Sequence, residues 1–311
     1  MGSPMKRTQV AITGGAGRLG RHIADKLSDS CDLTIIDKQS SGGSDDVPID
    51  VLDRGMLSNA LVGQDAIIHL AAIDASVDAS DHAFYETNTM AAWNVLELGY
   101  SAGIRQFVIC SSSSVYGFSQ SSRLGAPQSL PITEAQRCQP STAYGLSKQV
   151  TELIAEAFSR KGDVSVTVLR PCFVAFDNLL EQMTSEHQER DILLQRVDRR
   201  HSSEWVEPLP ILRSWVDPES VAECFLCALK AELPGFHTFN VSSDDTFIAD
   251  DTVTYIKTTF GDSPSEIDEA FYARQSRASV FDNRLAFELL GWRPRNDWPT
   301  YLKSRRAMTA V

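Results

Sequence analysis

The chain is short of cysteine, of positive charge and of long apolar runs, and each shortage excludes something. Six cysteines in 311 residues, scattered at 31, 110, 138, 172, 224 and 227, give no disulfide framework, so a reducing cytoplasm is the expected setting. Cys224-x-x-Cys227 has no second Cys or His pair at zinc spacing and falls in an apolar run, Val221 to Leu229, that reads as a buried helix. Two small core residues one turn apart account for it, and no metal site is expected. Basic residues number 29 against 41 acidic ones, a formal charge of -12. Such a field repels polyanions, and nucleic acid is not an expected partner. No apolar run approaches the roughly 18 residues of a spanning helix. Lys6-Arg7 is followed by only a short apolar stretch before Gly14-Gly15, so neither a membrane span nor a secretory signal is expected. Met1-Gly2-Ser3-Pro4 ahead of Met5 reads as a cloning remnant with no part in the fold. No repeat of solenoid period is visible.

What is there, 42% apolar and 23% charged residues, suits a globular chain long enough for one large domain or two smaller ones. The first half alternates short β-branched runs with longer helical patterns, which predicts an α/β fold with a parallel sheet covered on both faces. Strands are expected at Gln9 to Thr13, Leu33 to Asp37, Ala66 to Leu70, Gln106 to Ser111 and Val164 to Arg170, with a short one near Pro48 to Asp50. Helices are expected at Arg18 to Leu27, Leu57 to Leu61, His82 to Ala102 and Ala143 to Lys161. After Arg170-Pro171 the alternation fades, and 176 to 212 reads as an inserted lid. Leu212 to Val216 and Phe236 to Val241 return as strands around a helix from Glu219 to Ala231, so the chain is expected to revisit the main sheet. Asp250 to Phe260 and Asn283 to Leu290 read as amphipathic helices of a smaller C-terminal lobe.

Val10-Ala11-Ile12-Thr13 runs into Gly14-Gly15-Ala16-Gly17-Arg18-Leu19-Gly20 and then a helix, so three glycines spaced by three sit at a strand-to-helix turn. Glycine there lets the turn close, lets backbone approach a pyrophosphate, and lets helix pack on strand, while the helix start offers N–H groups to the phosphates. Asp37, seventeen residues beyond Gly20, ends the second strand, where a carboxylate accepts both ribose hydroxyls of an adenosine and repels a 2′-phosphate. NAD is therefore preferred over NADP, with Lys38 able to offset part of the repulsion. In Asp50-Val51-x-Asp53 a carboxylate can accept the adenine amino group, while Asp53 reads equally well as a helix N-cap. Leu70-Ala71-Ala72 leaves room for a cofactor to lie against backbone.

Tyr144-Gly145-Leu146-Ser147-Lys148 opens a helix, so Tyr144 and Lys148 share a face. A free phenol titrates near about 10, too high for a base at neutral pH. A neighbouring ammonium and an oxidised nicotinamide both favour the phenolate, which can then take a proton as hydride leaves a carbinol carbon, while Lys148 holds the nicotinamide ribose. The fifth strand ends in Ser111-Ser112-Ser113-Ser114-Val115-Tyr116-Gly117, with hydroxyls where open α/β sheets hold their ligands. The residues alone do not choose among the four serines.

Together, Thr13-Gly14-x-x-Gly17-x-x-Gly20, Ser111-Ser112-x-x-Val115-Tyr116-Gly117, Tyr144-x-x-x-Lys148 and Leu290-Gly291-Trp292-x-Pro294 resemble the extended short-chain dehydrogenases/reductases of the NAD-dependent epimerase/dehydratase type, UDP-glucose 4-epimerase among them. The resemblance covers nearly the whole chain. It implies a Rossmann-type doubly wound parallel sheet (5–175 plus about 212–245) with a smaller C-terminal substrate lobe and lid (about 176–211 plus 246–311). It implies Ser112 as the catalytic hydroxyl, Tyr144 as base and Lys148 as its partner. Asn88 matches a structural or relay asparagine. The cofactor residues expected are Gly14, Gly17, Arg18, Leu19, Gly20, Asp37, Asp50, Val51, Leu70, Ala71, Ala72, Tyr144 and Lys148, and the substrate residues Ser113 and Arg213. A homodimer through the helices near 82 to 102 and 143 to 161 is implied as well.

Departures narrow the substrate. The dehydratases carry an Asp-Glu pair after the catalytic hydroxyl, whereas Ser113-Ser114 stand here, so elimination of water from a sugar is not expected. Phe173 occupies the place of an asparagine that nucleotide-sugar enzymes use, while Arg213 matches an arginine that meets a nucleotide diphosphate. The expected activity is NAD-dependent oxidation of a secondary hydroxyl of a sugar or nucleotide sugar, transient in an epimerase. The alternatives are a dehydrogenase of a free sugar or sugar acid with net NAD turnover, and a non-catalytic NAD-sensing regulator. Arg190, Arg196, Arg199, Arg200 and His201, interleaved with Glu189, Asp191 and Asp198, read as a solvated mixed-charge helix, with an anion site as the alternative. His69, on an apolar strand, reads as a core residue.

Overall fold

The computed structural model describes residues 7–118 apart from 41 and 44, residues 127–177, and residues 212–309 apart from 249 and 261–263. Seven strands form one sheet: β1 (Thr8–Thr13), β2 (Cys31–Asp37), β3 (Asp46–Pro48), β4 (Ala66–His69), β5 (Gln106–Cys110), β7 (Ser165–Pro171) and β10 (Gly235–Val241). Their order is β10-β7-β5-β4-β1-β2-β3, and every pairing is parallel. The chain winds outward from β1 to β3, then returns past β1 to β4 and winds the other way. The reversal between β1 and β4 opens a crevice at the carboxyl ends of those strands, where a doubly wound sheet holds its ligand.

Alternation along the strands explains why both faces are covered. Val10 and Ile12, Ala66 and Ile68, and Val108 join one apolar cluster, while Ala11, Ile67, Phe107 and Ile109 join another on the opposite side. On the second side lie α3 (Asp81–Ser101) and α4 (Ala143–Ser159), packed against each other. On the first side α1 (Arg18–Leu27) packs against the helix Pro218–Ala231. Short polar residues start these helices: the Ser80 hydroxyl accepts from Ala83 N at 3.2 Å, Thr142 from Gly145 N at 3.1 Å, and Asp217 from Ser220 N at 2.8 Å with Pro218 following. Asp53 caps α2 (Arg54–Ala60) by accepting from Met56 N at 3.0 Å, which is the local role open to it.

The early strands and helices fall where periodicity puts them, to within a few residues. The return to the sheet differs in part. β10 does rejoin it, but the other expected strand shrinks to β9 (Trp215–Val216) and pairs with β8 (Phe173–Val174) in a separate ribbon. Within the sheet β7 pairs with β5 on one side and with β10 along its whole length on the other. A second ribbon joins β6 (Ser129–Leu130) to β11 (Glu266–Ile267), and helices Glu269–Arg274 and Trp298–Thr309 complete the C-terminal part. The 176–212 run expected as a lid, with its arginines, lies outside the described residues except at its two ends.

Trp298 and Tyr301 bury their rings with Trp215, Phe247 and Ala175 in a third apolar cluster. Asp245 sits beneath it, accepting from Trp215 Nε1 at 3.1 Å and from Trp298 N at 2.9 Å. Burial outweighs these donors and pushes its carboxyl up to about 6. The folded state therefore holds a proton that the unfolded chain releases above its ordinary value of 3.8. The stability linked to it is full below about pH 4 and is lost as pH rises through about 6. Asp245→Asn is expected to lose that window: in thermal melts from pH 4 to pH 7, the stability of the variant relative to the parent rises with pH, by up to about 3 kcal/mol.

Candidate active site

The crevice is built on one side by the glycine turn. Gly14 adopts φ +74°, and a Cβ on it would meet Ala71 N at 2.6 Å, so β1's turn and the segment after β4 touch backbone to backbone. A Cβ on Gly20 would strike the Gly15 carbonyl at 2.6 Å, which is why α1 can lie close on the turn. Gly17 caps α1 without any side-chain hydrogen bond, and Arg18 and Leu19 begin the helix itself. Leu70, Ala71 and Ala72 are all half-buried along the opposite wall.

Asp37 ends β2 beside this turn. Its carboxylate accepts from Ala16 N and Gln39 N, each at 3.1 Å, so it is held against the glycine loop with part of its oxygen capacity spare. Lys38, expected to temper that charge, is engaged elsewhere: its Nζ pairs with Asp50 at 2.9 Å. Asp50 also accepts from Leu52 N at 2.9 Å. Val51 is buried, and its carbonyl accepts from Asn94 Nδ2 at 3.1 Å. Arg18 reaches across the crevice mouth to Asp74 (3.7 Å) and to the Ser76 hydroxyl (3.2 Å), and its guanidinium lies 4.7 Å from the Phe176 ring centre.

The other wall is β5 with α4. Ser112 leaves the strand in extended geometry, and its Oγ accepts from Ser114 N at 3.1 Å and donates to Ser114 Oγ at 3.0 Å. Ser113 opens the buried 3-10 turn Ser113–Tyr116. The Ser112 side chain lies close enough to the Tyr144 phenol to ease its ionisation. Lys148 is buried, donates to the Cys110 carbonyl at 3.0 Å and lies 5.8 Å from the Tyr144 ring centre. The three residues expected to react are thus brought to one place, at the carboxyl end of β5.

Electrostatics there differ from the sequence-based expectation. Burial holds the Tyr144 phenol well above its usual range, nearby Asp74 and the Cys110 thiol raise it further, and the Ser112 side chain offsets only part. The Lys148 charge expected to favour the phenolate makes its mark on His69 and Cys110 instead. His69 is buried under the crevice with Nδ1 2.7 Å from Thr13 Oγ1. Burial first, then Lys148, pull it down to about 3, so it is neutral, as a core histidine should be.

Asn88 accepts from Ile73 N at 2.7 Å and donates to Ser147 Oγ at 3.0 Å, tying the loop after β4 to the first turn of α4. Arg213 belongs to the C-terminal part: its backbone takes φ +54°, its Nε donates to Tyr255 OH at 3.1 Å, and its guanidinium faces the Phe247 and Tyr255 rings at 5.7 and 5.8 Å. Sequence reasoning missed Glu152 and Arg170, a buried ion pair next to Ser111 with an Nη2···Oε2 distance of 2.7 Å. The signal was available: Glu152 continues the Tyr144-Lys148 spacing by one more turn, on a helix face that has to be buried.

The profile of the NAD dependent epimerase/dehydratase family matches residues 10–242. A UDP-glucose 4-epimerase of Corynebacterium glutamicum is 25% identical over 97% of this chain and 96% of its own. An L-arabinose 1-dehydrogenase (NAD(P)(+)) of Haloferax volcanii is 29% identical over 57% of this chain and 72% of its own. Among solved structures, a short-chain dehydrogenase/reductase superfamily protein from Agrobacterium tumefaciens with bound NAD covers 97% of this chain and 98% of its own at a TM-score of 0.70 and 21% identity.

The crevice fits a dinucleotide on its own evidence: the turn admits no Cβ at Gly14 or Gly20, and a carboxylate stands at the end of β2. Asp37→Ala is expected to weaken NAD by about 10- to 100-fold, the value of hydrogen bonds to a charged acceptor. NADP should change much less, so the ratio of the two dissociation constants narrows. Fluorescence titration with both cofactors checks this.

Proposed function

Since the chain belongs to the NAD-dependent epimerase/dehydratase family, we propose that it oxidises a secondary hydroxyl of a sugar or nucleotide sugar through Ser112, Tyr144 and Lys148, as an epimerase that returns the hydride to the same carbon. The observation that carries this reading is the gathering of Ser112, the Tyr144 phenol and buried Lys148 at the carboxyl end of β5, with Lys148 held by the Cys110 carbonyl and 5.8 Å from the Tyr144 ring centre. NAD, when bound, would accept the hydride and, in its oxidised form, add positive charge that favours the phenolate. Ser112 orients the substrate oxygen beside Tyr144. Tyr144, once its own proton has left to solvent under the pull of Lys148 and the oxidised cofactor, would take the hydroxyl proton onto its phenolate oxygen. Lys148, fixed by the Cys110 carbonyl, keeps two of its three N–H groups for the nicotinamide ribose. The residues expected to cradle the cofactor are Gly14, Gly17, Arg18, Leu19, Gly20, Asp37, Asp50, Val51, Leu70, Ala71 and Ala72. The domain division belongs to the same reading, with 5–175 and about 212–245 holding the dinucleotide and the remainder, together with Arg213 at its border, holding the sugar.

Phe173 in place of the asparagine used by nucleotide-sugar enzymes, and the arabinose dehydrogenase among the relatives, favour a second reading, a dehydrogenase of a free sugar or sugar acid. A regulator that only senses NAD has no use for a proton base, and Ser112, Tyr144 and Lys148 are all retained.

Purified protein with NAD and a panel of free sugars, sugar acids and UDP-sugars, followed at the reduced-nicotinamide absorbance and by product analysis, separates these readings. Interconversion of UDP-sugars without net absorbance change is expected. A steady rise with a free sugar would sink the epimerase assignment in favour of the dehydrogenase. Tyr144→Phe is expected to lower turnover by about 10²- to 10⁴-fold with NAD affinity little changed. Unaltered turnover would remove Tyr144 from the mechanism.

The same reading includes a homodimer. Tyr85, Met90 and Trp93 on α3 and Leu146 and Leu153 on α4 are 43–55% exposed, an apolar set on two adjacent helices. Met90→Glu with Leu153→Glu is expected to give monomers in analytical ultracentrifugation where the parent sediments as a dimer.

A further inference from the structure

Three consecutive residues at the end of β5 are each tied to one of three residues spaced a turn apart on α4. The Cys110 carbonyl accepts from Lys148 Nζ at 3.0 Å, Ser111 Oγ donates to Glu152 Oε1 at 2.5 Å, and Ser112 lies beside the Tyr144 phenol. Tyr144, Lys148 and Glu152 lie on one stripe of the helix. Two of these ties hold groups assigned to the reaction, while the Ser111–Glu152 tie touches neither substrate nor cofactor in the proposed mechanism.

Glu152 is anchored from its other side. Arg170 Nε donates to Oε1 at 2.9 Å and Nη2 to Oε2 at 2.7 Å, with the side chains only 6% and 8% exposed. The fork has a further arm, for Nη1 donates to Tyr116 OH at 2.8 Å and to the Glu134 carbonyl at 3.3 Å. Tyr116 in turn donates to Asn240 Oδ1 at 2.8 Å, and Asn240 N donates to Glu134 Oε1 at 2.7 Å. One chain of charge-assisted bonds therefore joins the end of β5, α4, β7 and β10. An ion pair this deep gains little net stability over an apolar pair of the same volume. Its bidentate geometry, however, fixes direction as well as distance.

We infer that Glu152 and Arg170 are positioning residues that set the rotation and height of α4 against β5, so that Tyr144 and Lys148 meet Ser112 in reacting geometry. This rests on Ser112, Tyr144 and Lys148 being the reacting groups. A misplacement of about 1 Å in such a constellation costs on the order of 100-fold in rate. The phenol also loses the nearby Ser112 side chain that lowers its proton affinity, so the base ionises at higher pH.

The test uses two variants. Ser111→Ala breaks the link to β5 and leaves the ion pair whole. Glu152→Leu with Arg170→Met removes both charges together, so neither is left buried and unpaired. Each is expected to fold and to bind NAD with nearly parental affinity. Each should lower kcat by about 10- to 100-fold with KM little changed, and move the acidic limb of the kcat/KM profile to higher pH. Parental kcat and pH profile in folded variants would overturn the inference. So would a lowered melting temperature with unchanged turnover per NAD-binding site, because that pattern marks a scaffold role alone. Should the double variant fail to fold, the pH profile of Ser111→Ala decides between the two roles. A parent that turns over no sugar would instead overturn the proposed reaction, which separates that failure from this one.

Discussion

The setting of α4 against the carboxyl end of β5 is the constraint from which the rest of the site follows. A parallel sheet covered on both faces favours apolar residues along its central strands, as the alternation of Val10 to Ile12 and Ala66 to Ile68 shows. Polar chemistry is confined to strand ends, where backbone carbonyls run out of strand partners. Cys110 O is such a carbonyl, and it holds Lys148. The helix that covers one face of the sheet also delivers its side chains to that end. The same packing that stabilises the fold therefore decides where the phenol stands.

Desolvation is what makes the arrangement sensitive. Lys148 and His69 are buried and Ser112 and Tyr144 half-buried, so charges at this end of the sheet are felt more strongly than in water. His69 is driven to its neutral form and Tyr144 is held protonated by the same burial. Asp74 adds to the hold on the Tyr144 proton, and under the proposed reaction positive charge has to overcome it. Small changes in the distance between Tyr144 and a positive charge therefore act with large effect, which places a premium on rigid neighbours.

How much of this could be read in advance follows the reach of the interactions. The glycine turn was legible because φ +74° at Gly14 and the tight approach of Gly20 are local demands that only one residue type meets. Tyr144 and Lys148 were legible because helical spacing puts them on one face. The serine was harder: four hydroxyls stand in a row, and only the family resemblance singled out Ser112. The partnerships of Ser111 with Glu152 and of Tyr116 with Asn240 cross 41 and 124 residues and leave no periodic trace. Lys38 went astray for the same reason, since its partner Asp50 lies on a neighbouring strand's exit. The two-residue β9 was overestimated because propensity cannot see that both edges of β7 are filled.

The reacting residues are common to epimerisation and to net oxidation, so the difference between them has to lie elsewhere. An epimerase must hold the reduced cofactor while the ketone turns over; a dehydrogenase must let it go. Arg18 spans the crevice mouth to Asp74 and Ser76, yet Arg18 and Asp74 remain 45% and 58% exposed. An ion pair so wet contributes little, with a median of about 0 to 1 kcal/mol, and parts easily. It cannot by itself act as a lock on a dinucleotide. Under the proposed reaction the glycine turn and the carboxylate at the end of β2 would meet the adenosine and phosphate half, which is indifferent to the redox state of the ring. On that reading the two outcomes part at the freedom of the ketone to turn over, and so at the residues proposed to hold the sugar, Arg213 among them, rather than at those that move the proton.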